Sequence, residues 1–456
     1  MKKKIIGILI CMLFITTTIV PFVSAGIGDK FFENDGIINP GTKYQRYRRD
    51  EYNPNVTFFQ WWYFSISDME NKRDFLITYG FLDCVKNLTY ESSGVLFGMI
   101  EQDTKTRFHK TELFPLKTLQ IENDFDFTID VTPNDEEVEF KINIIDNDTY
   151  FIHGKMHYPE NVAYAEGNLN GMPVSPDIYV TWDLMIYRIY GWFGQQDFPS
   201  DNIISWNTYA HASEVEGNIT VGNITYRLLR NENFRIYCDE NWGTKYPSGQ
   251  PFENPINYPW GWYHVGLSNA NTTKELSIIA GMGRFNLKNI YGINEGKFAD
   301  IRLDNNTHIG LRQIVIWKLT PNLLGYSYMD TSNDEDLMKF YIRRDQWADF
   351  TDIWGTASIP LHQYIYLESK HYIIEMNFYS KLDDYNRLFA IHENYIFSDF
   401  EGLGVKTHVV VKYHTISYNW WDILHLFPQH HFTVLKDFWS EYGGVEYGYK
   451  ADLKLA

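Results

Sequence analysis

The chain has 456 residues, 17% of them aromatic and 21% charged, with a formal net charge of −18. That aromatic content excludes disorder and supplies a large core. The acidic balance excludes a nucleic-acid partner, which needs clustered Lys and Arg, and three cysteines exclude a disulfide framework.

The first residues read as a leader. Lys2 to Lys4 form a basic start, Ile5 to Val23 an apolar run, and Val23-Ser24-Ala25 a small-residue cleavage site before Gly26. The pattern predicts a secretory signal over 1–25. The run is 19 residues long, close to a bilayer span, so an uncut anchor over 5–23 is the alternative. Either way the bulk of the chain is expected to be secreted or extracytoplasmic, with membrane-surface contact available through this segment. Seven Asn-x-Ser/Thr triplets, among them Asn218 and Asn223, are compatible with export and glycosylation and also arise by chance in Asn- and Thr-rich text. Cys11 lies in the leader, which leaves Cys84 and Cys238 to pair or to stay separate and buried.

Beyond Gly26 the text alternates. "FFQWWYFSIS" (58–67), "RDFLITYGFLD" (73–83), "GVLFGMIEQD" (94–103), "EVEFKINIID" (137–146), "TYFIHGKMHY" (149–158) and "DIYVTWDLMIYRIYGW" (177–192) are bounded by Asn, Asp, Gly or Pro. Period-two alternation between turn residues predicts half-buried strands. A second series follows Ala210: "ASEVEGNITVGNITYRLLRN", "NFRIYCDENW", "WGWYHVGLSN", "LSIIAGMGRF", "QIVIWKL", "TASIPLHQYIYLESK", "HVVVKYH" and "GVEYGYKADLKL". The pattern predicts two all-β units, 26–208 and 209–456. The segment "YNWWDILHLFPQHHFTVLKDFWSEYGG" (418–444) breaks the alternation with closer to helical spacing. It predicts a short helix, either a lid over a barrel mouth or a packed surface helix.

Several chemistries are absent from the text. There is no G-x-S-x-G elbow, no phosphate loop and no H-E-x-x-H helix. His425, His430 and His431 cluster without partners at ligand spacing. Neither a metal nor a cofactor is expected. The aromatic strands offer more. Gln60, Trp62 and Phe64 alternate with Phe59, Trp61 and Tyr63, and Trp260, Trp262 and His264 alternate with Gly261, Tyr263 and Val265. Such rings pack a core or line a pocket for an apolar ligand. In "NFRIYCDENWG" a strand puts Tyr237, Asp239 and Asn241 on one face and Cys238, Glu240 and Trp242 on the other. Two readings stand. "DENWG" is good turn chemistry; a carboxyl held among aromatics loses solvation, keeps its proton and serves as an acid.

The strings "FFQWWYFSI", "EVEGNITVGNITYRLLRN" and "YCDENWG…WGWYHVGL" resemble the carotenoid 1,2-hydratase/AttH lipocalin-like family, which is related to tocopherol cyclase. The resemblance covers most of the chain beyond the leader. It implies two tandem lipocalin-like antiparallel β-barrels and a hydrophobic small molecule, isoprenoid or lipid-like, as partner. Family members protonate a C=C bond and add water or close a ring. Carried over, Tyr237 and Asp239 are the proton-delivering pair, with Asn241 and Trp242 as supports. Trp62, Trp260, Trp262 and Gln60 are the expected pocket residues. The family's Glu before Trp-Trp is Gln60 here, and Cys238 and Glu240 also depart from its string. Those departures and the leader point to a lipid role on the export side, either proton-initiated hydration, cyclisation or isomerisation, or carriage without catalysis.

Overall fold

The computed structural model describes residues 58–83, 92–101, 106–115, 119–121, 127–131, 138–146, 149–158, 165–169, 172–173, 178–188, 205–243, 261–266, 277–285, 294–303, 308–317, 323–326, 335–336, 339–352, 355–392, 395–417 and 429–452. They are strands and turns, with a 3-10 turn at Leu382–Asp384. Among the described residues every ladder is antiparallel except the short pairing of His308–Trp317 with Glu335–Asp336. The fold is all-β, as the alternation predicts. The leader and its alternative anchor, Cys84 and Trp260 lie outside the described residues.

The first half is one 14-stranded sheet. Phe58–Asp68 runs near its middle, between Arg73–Asp83 and Phe234–Gly243, and Ser205–Val221 lies beyond Phe234–Gly243. Residues 205–243, most of them past the expected boundary at 208, are therefore hydrogen-bonded into the first sheet. The sheet curls over its own inner face. Phe97 on Ser92–Glu101 stacks on Trp182 of Ile178–Tyr187 at 6.1 Å, although four strands separate them in the sheet order. Phe64 meets Phe140 across the same interior at 6.0 Å. Trp62, Phe64, Ile66, Ile152, Leu184 and Ile236 are fully buried there, each stabilising by about 1.5–3 kcal/mol relative to exposure.

The second half closes a nine-stranded sheet over a five-stranded one. Val265, Ile278 and Ile301 from the larger sheet meet Ile365, Met376 and Val409 from the smaller in one core. The expected helix over 418–444 is corrected for 429–440. Gln429–Ser440 is a strand at the edge of the five-stranded sheet, paired with Lys406–Ser417. His430, Phe432 and Val434 alternate there, and the antiparallel ladder with Lys406–Ser417, shifted once at Val411/Lys412, takes the backbone bonds on one side that a helix would make within itself. Residues 418–428 lie outside the described set.

The two halves meet through side chains. Leu76 packs on Leu403, and Ala212 and Tyr237 pack on Ile279 and Tyr442. Asp74 sits at this junction. Ser67 Oγ donates to its Oδ1 at 2.6 Å, and Gly404 presses on the carboxyl so closely that a Cβ there would lie 2.5 Å from Oδ2. Burial, with the charges of Asp384 and Asp68 adding and the Ser67 bond opposing, raises Asp74 to about 7.

Two outcomes are expected. Gly154→Ala sets a Cβ 2.0 Å from the Trp182 ring and lowers stability by about 1–3 kcal/mol, read by urea unfolding. Asp74 binds its proton more tightly folded than unfolded, so stability is lost as pH rises from about 4 to about 7. Asp74→Asn therefore raises stability at pH 8, by at most about 4 kcal/mol, with the gain vanishing near pH 4; an equal gain at both pH values contradicts the assignment.

Candidate functional site

The Phe234–Gly243 strand is the wall that both halves share. Its register with Phe58–Asp68 places Cys238 opposite Phe64 and Glu240 opposite Trp62, while Asp239 opposes Tyr63 and Tyr237 opposes Ser65. Period two then divides the strand. Ile236 and Cys238 enter the first core, and Glu240 lies on that face. Tyr237, Asp239 and Asn241 turn to the second half. The turn reading of "DENWG" does not hold, since the whole stretch is ladder.

Asp239 is gripped at both oxygens. Tyr237 donates its hydroxyl to Oδ2 at 2.8 Å, and Asn241 donates Nδ2 to Oδ1 at 3.0 Å. Thr208 Oγ1 lies 3.2 Å from the Tyr237 hydroxyl, and that bond runs in either direction. The three groups form a line. With Asp239 ionised, Tyr237 donates to it; with Asp239 protonated, its O–H donates to Tyr237, which then donates to Thr208.

The other side of the site comes from the second half. His264 on Gly261–Gly266 stacks flat on Tyr237, with centroids 4.5 Å apart and planes 8° from parallel. Gly444 makes room for that ring, since a Cβ there would lie 1.9 Å from His264 Nε2. Trp262, on the same face, packs against the cluster of Tyr237 and Tyr442. Ser205–Val221 carries register shifts between Thr208 and Ser213, with Ala212 at φ 47. Such a bulge re-aims a side chain. Here it buries His211, whose Nδ1 meets Ser277 Oγ across the junction. Tyr63 crosses the same way, its hydroxyl donating to Glu401 Oε2. Glu446 stands between Glu401 and Trp262, in register with both. Tyr237, His211, His264 and Glu401 are buried; Tyr63, Asn241, Trp262 and Glu446 form a half-buried rim.

Burial decides the charges. It pushes the Asp239 carboxyl well above the usual carboxylate range, with Glu446 and Glu240 adding and the Tyr237 and Asn241 bonds opposing. Burial raises Glu401 likewise, helped by Glu446 and Asp239 and opposed by the Tyr63 bond. It lowers His264 to about 3, and lowers His211, with His264 adding. The histidines are therefore neutral and supply no cation to ionise the acids. Burial thus favours the neutral forms of Asp239, Glu401 and both imidazoles, set among aromatic rings. Among the described residues no group of three or more His, Cys, Asp and Glu is arranged to hold a metal ion.

No family model and no curated protein sequence matches the chain. Solved structures similar to it include a Nitrosomonas europaea protein provisionally named AttH. It is 8% identical with a TM-score of 0.48, over 89% of this chain and 97% of that one. Another is CghA with Sch210972, 8% identical with a TM-score of 0.41, over 88% of this chain and 89% of that one. Neither likeness carries a statement about chemistry.

The expected site residues divide by face. Tyr237, Asp239, Asn241 and Trp262 come together at the junction. Trp62 and Gln60 lie on the opposite face of the sheet, fully buried within the first half. Gln60 Nε2 donates to Glu240 Oε1 there at 2.5 Å, so two of the departures from the family string are bonded to each other. The Trp242 backbone pairs with Gln60; its side chain lies outside what is described. Sequence reasoning missed Tyr63, Thr208, His211, His264, Glu401 and Glu446 as site residues. For His264 a signal existed in its alternation with Trp262. For Glu401 and Glu446 none did, because only the packing of one half on the other brings them to Asp239.

A protonated Asp239 is visible directly. Infrared difference spectra of wild type and Asp239→Asn at pH 7 are expected to differ by one carboxylic-acid C=O band. Loss of a carboxylate band instead would show Asp239 ionised.

Proposed function

We propose that the chain is an exported protein that takes an apolar, isoprenoid-like or other lipid-like molecule at the junction of its halves and protonates an alkene in it. The observation that carries this reading is the Tyr237–Asp239 pair: an acid kept protonated by burial, aligned by two hydrogen bonds, beside the Trp262, Tyr63 and Tyr442 rings. An acid of raised pKa transfers a proton near neutral pH, where an ordinary carboxyl has already ionised. Aromatic faces stabilise the cation so formed. The resemblance of "YCDENWG" to the hydratase string supports the same pair.

Asp239 is the donor. Tyr237 donates to carboxyl oxygen Oδ2, which leaves the acid proton to the alkene and stabilises the carboxylate that remains. Asn241 fixes the other carboxyl oxygen, so that the acid cannot rotate. Trp262 packs against Tyr237 from the second-half side and would face the bound molecule there. Lipocalin-like barrels, a lipid partner, the cleaved leader and contact with a membrane surface through the N-terminal segment belong to this reading. The alternative is carriage of the same molecule without conversion.

The test uses squalene in detergent micelles as the probe alkene, incubated with the whole protein in D2O buffer at pH 6. Wild type is expected to place deuterium on carbon, read by mass spectrometry, and Asp239→Asn to do so at least about 100-fold more slowly. Equal labelling by both removes Asp239 as the acid. Quenching of tryptophan fluorescence without labelling in either supports the carrier, and neither binding nor labelling removes both readings.

A further inference from the structure

Proton transfer to an alkene leaves a cation that must lose charge. Asp239 cannot supply both ends of that exchange at one position. A second carboxyl pair lies across the junction. Glu401 on Tyr395–Gly402 and Glu446 on Gly443–Asp452 are directly opposed in the ladder. Opposed side chains on one face are near enough to interact, and the charge of Glu446 acts on Glu401. In a site with little water, two carboxyls so coupled do not both ionise readily.

The two members of the pair differ. Glu401 is buried and takes the Tyr63 hydroxyl at Oε2. Glu446 is half-buried at the rim, with Trp262 opposite it on the other neighbouring strand. The groups that meet the charge of Glu446 come from several elements: Tyr63 from Phe58–Asp68, Tyr237 and Asp239 from Phe234–Gly243, Tyr263 from Gly261–Gly266, and Glu401. His264 sits on the same strand face as Trp262 and is neutral. Two cations lie near this cluster: Arg344 donates to the Tyr263 hydroxyl at 3.0 Å and to Gln363 Oε1 at 3.1 Å, and the buried Arg235 acts on Tyr442.

Resting on the alkene-protonation reading above, we propose that Glu401 and Glu446 share one proton and that Glu446 is the base that completes the reaction as a double-bond shift. The Asp239 proton forms a new C–H bond, and the π electrons leave a cation on the neighbouring carbon. Glu446 removes a proton from the next carbon, and that C–H pair becomes the new double bond. The substrate is isomerised with no oxidant, reductant or water consumed. Asp239 is left ionised and Glu446 protonated, and exchange with solvent at the half-buried rim restores both. The buried floor of Tyr237, His211 and His264 disfavours water as the nucleophile, so isomerisation is chosen over hydration.

The base must be ionised and the acid protonated, so the rate rises with pH through the base and falls through the acid. Glu446→Gln is expected to lower double-bond migration in squalene at least about 100-fold and to remove the low-pH limb of the profile. Glu401→Gln imitates the protonated partner and is expected to leave the low-pH limb in place and to remove one carboxylic-acid infrared band. Without any substrate, the carboxylic-acid infrared band of Glu401 should titrate at lower pH in Glu446→Gln than in wild type, because its charged neighbour is gone. Wild-type turnover with an inactive Asp239→Asn and an unaffected Glu446→Gln overturns the pair while the acid assignment survives. So does disappearance of the low-pH limb in Glu401→Gln, or a Glu401 band that does not move in Glu446→Gln. No deuterium on carbon with wild type overturns the acid reading and the pair together.

Discussion

A strand buried on both faces has no water to offer its polar side chains, and Phe234–Gly243 is such a strand. One face completes the core of the first half; the other lies against the second half. Every polar group on it must find a partner in protein or stay uncharged. Glu240 finds Gln60 on the inner face. Asp239 finds Tyr237 and Asn241 on the outer face and keeps its proton. The chemistry proposed for this protein follows from that confinement more than from any single residue type.

The second half contributes by withholding charge. A cation beside Asp239 would pull its pKa down and turn the acid into a salt-bridged carboxylate. The junction instead presents His264 and His211, both neutral because they are buried, and two more carboxyls. Tyr63, Ser277 and Gly444 then hold these groups in place across the junction. The arrangement is unfavourable for stability, as the raised Asp74 at the same junction also shows. Groups of this kind are tolerated where the two halves gain apolar burial elsewhere, here at Leu76–Leu403 and around Tyr442.

Alternation made the first half legible. "FFQWWYF" and "RDFLITYGF" read as strands because aromatic and branched residues recur at period two, and they are strands. The same period placed Tyr237, Asp239 and Asn241 on one face. It could not say that Trp62 and Gln60 face the other way from them, since the relative facing of two strands is set by their register. The segment over 429–440 misled for a related reason. A stretch of mixed His, Phe, Val and Leu satisfies either period, and the partner strand Lys406–Ser417 decides between them.

By itself the sequence determined the all-β class, the strand that carries Tyr237 and Asp239, and the fact that an acid there stands among aromatic rings. Those are local properties, written in neighbouring residues. Only the tertiary structure decided that this acid lies between two halves and not inside one, that its neighbours are His211, His264, Glu401 and Glu446, and that none of them brings a positive charge. Glu401 is 162 positions from Asp239 along the chain, and no local pattern spans such a gap. Hydrogen-bonded register fixes which side chains share a face within each sheet, and the packing of one sheet's face on the other's brings Glu401 to Asp239.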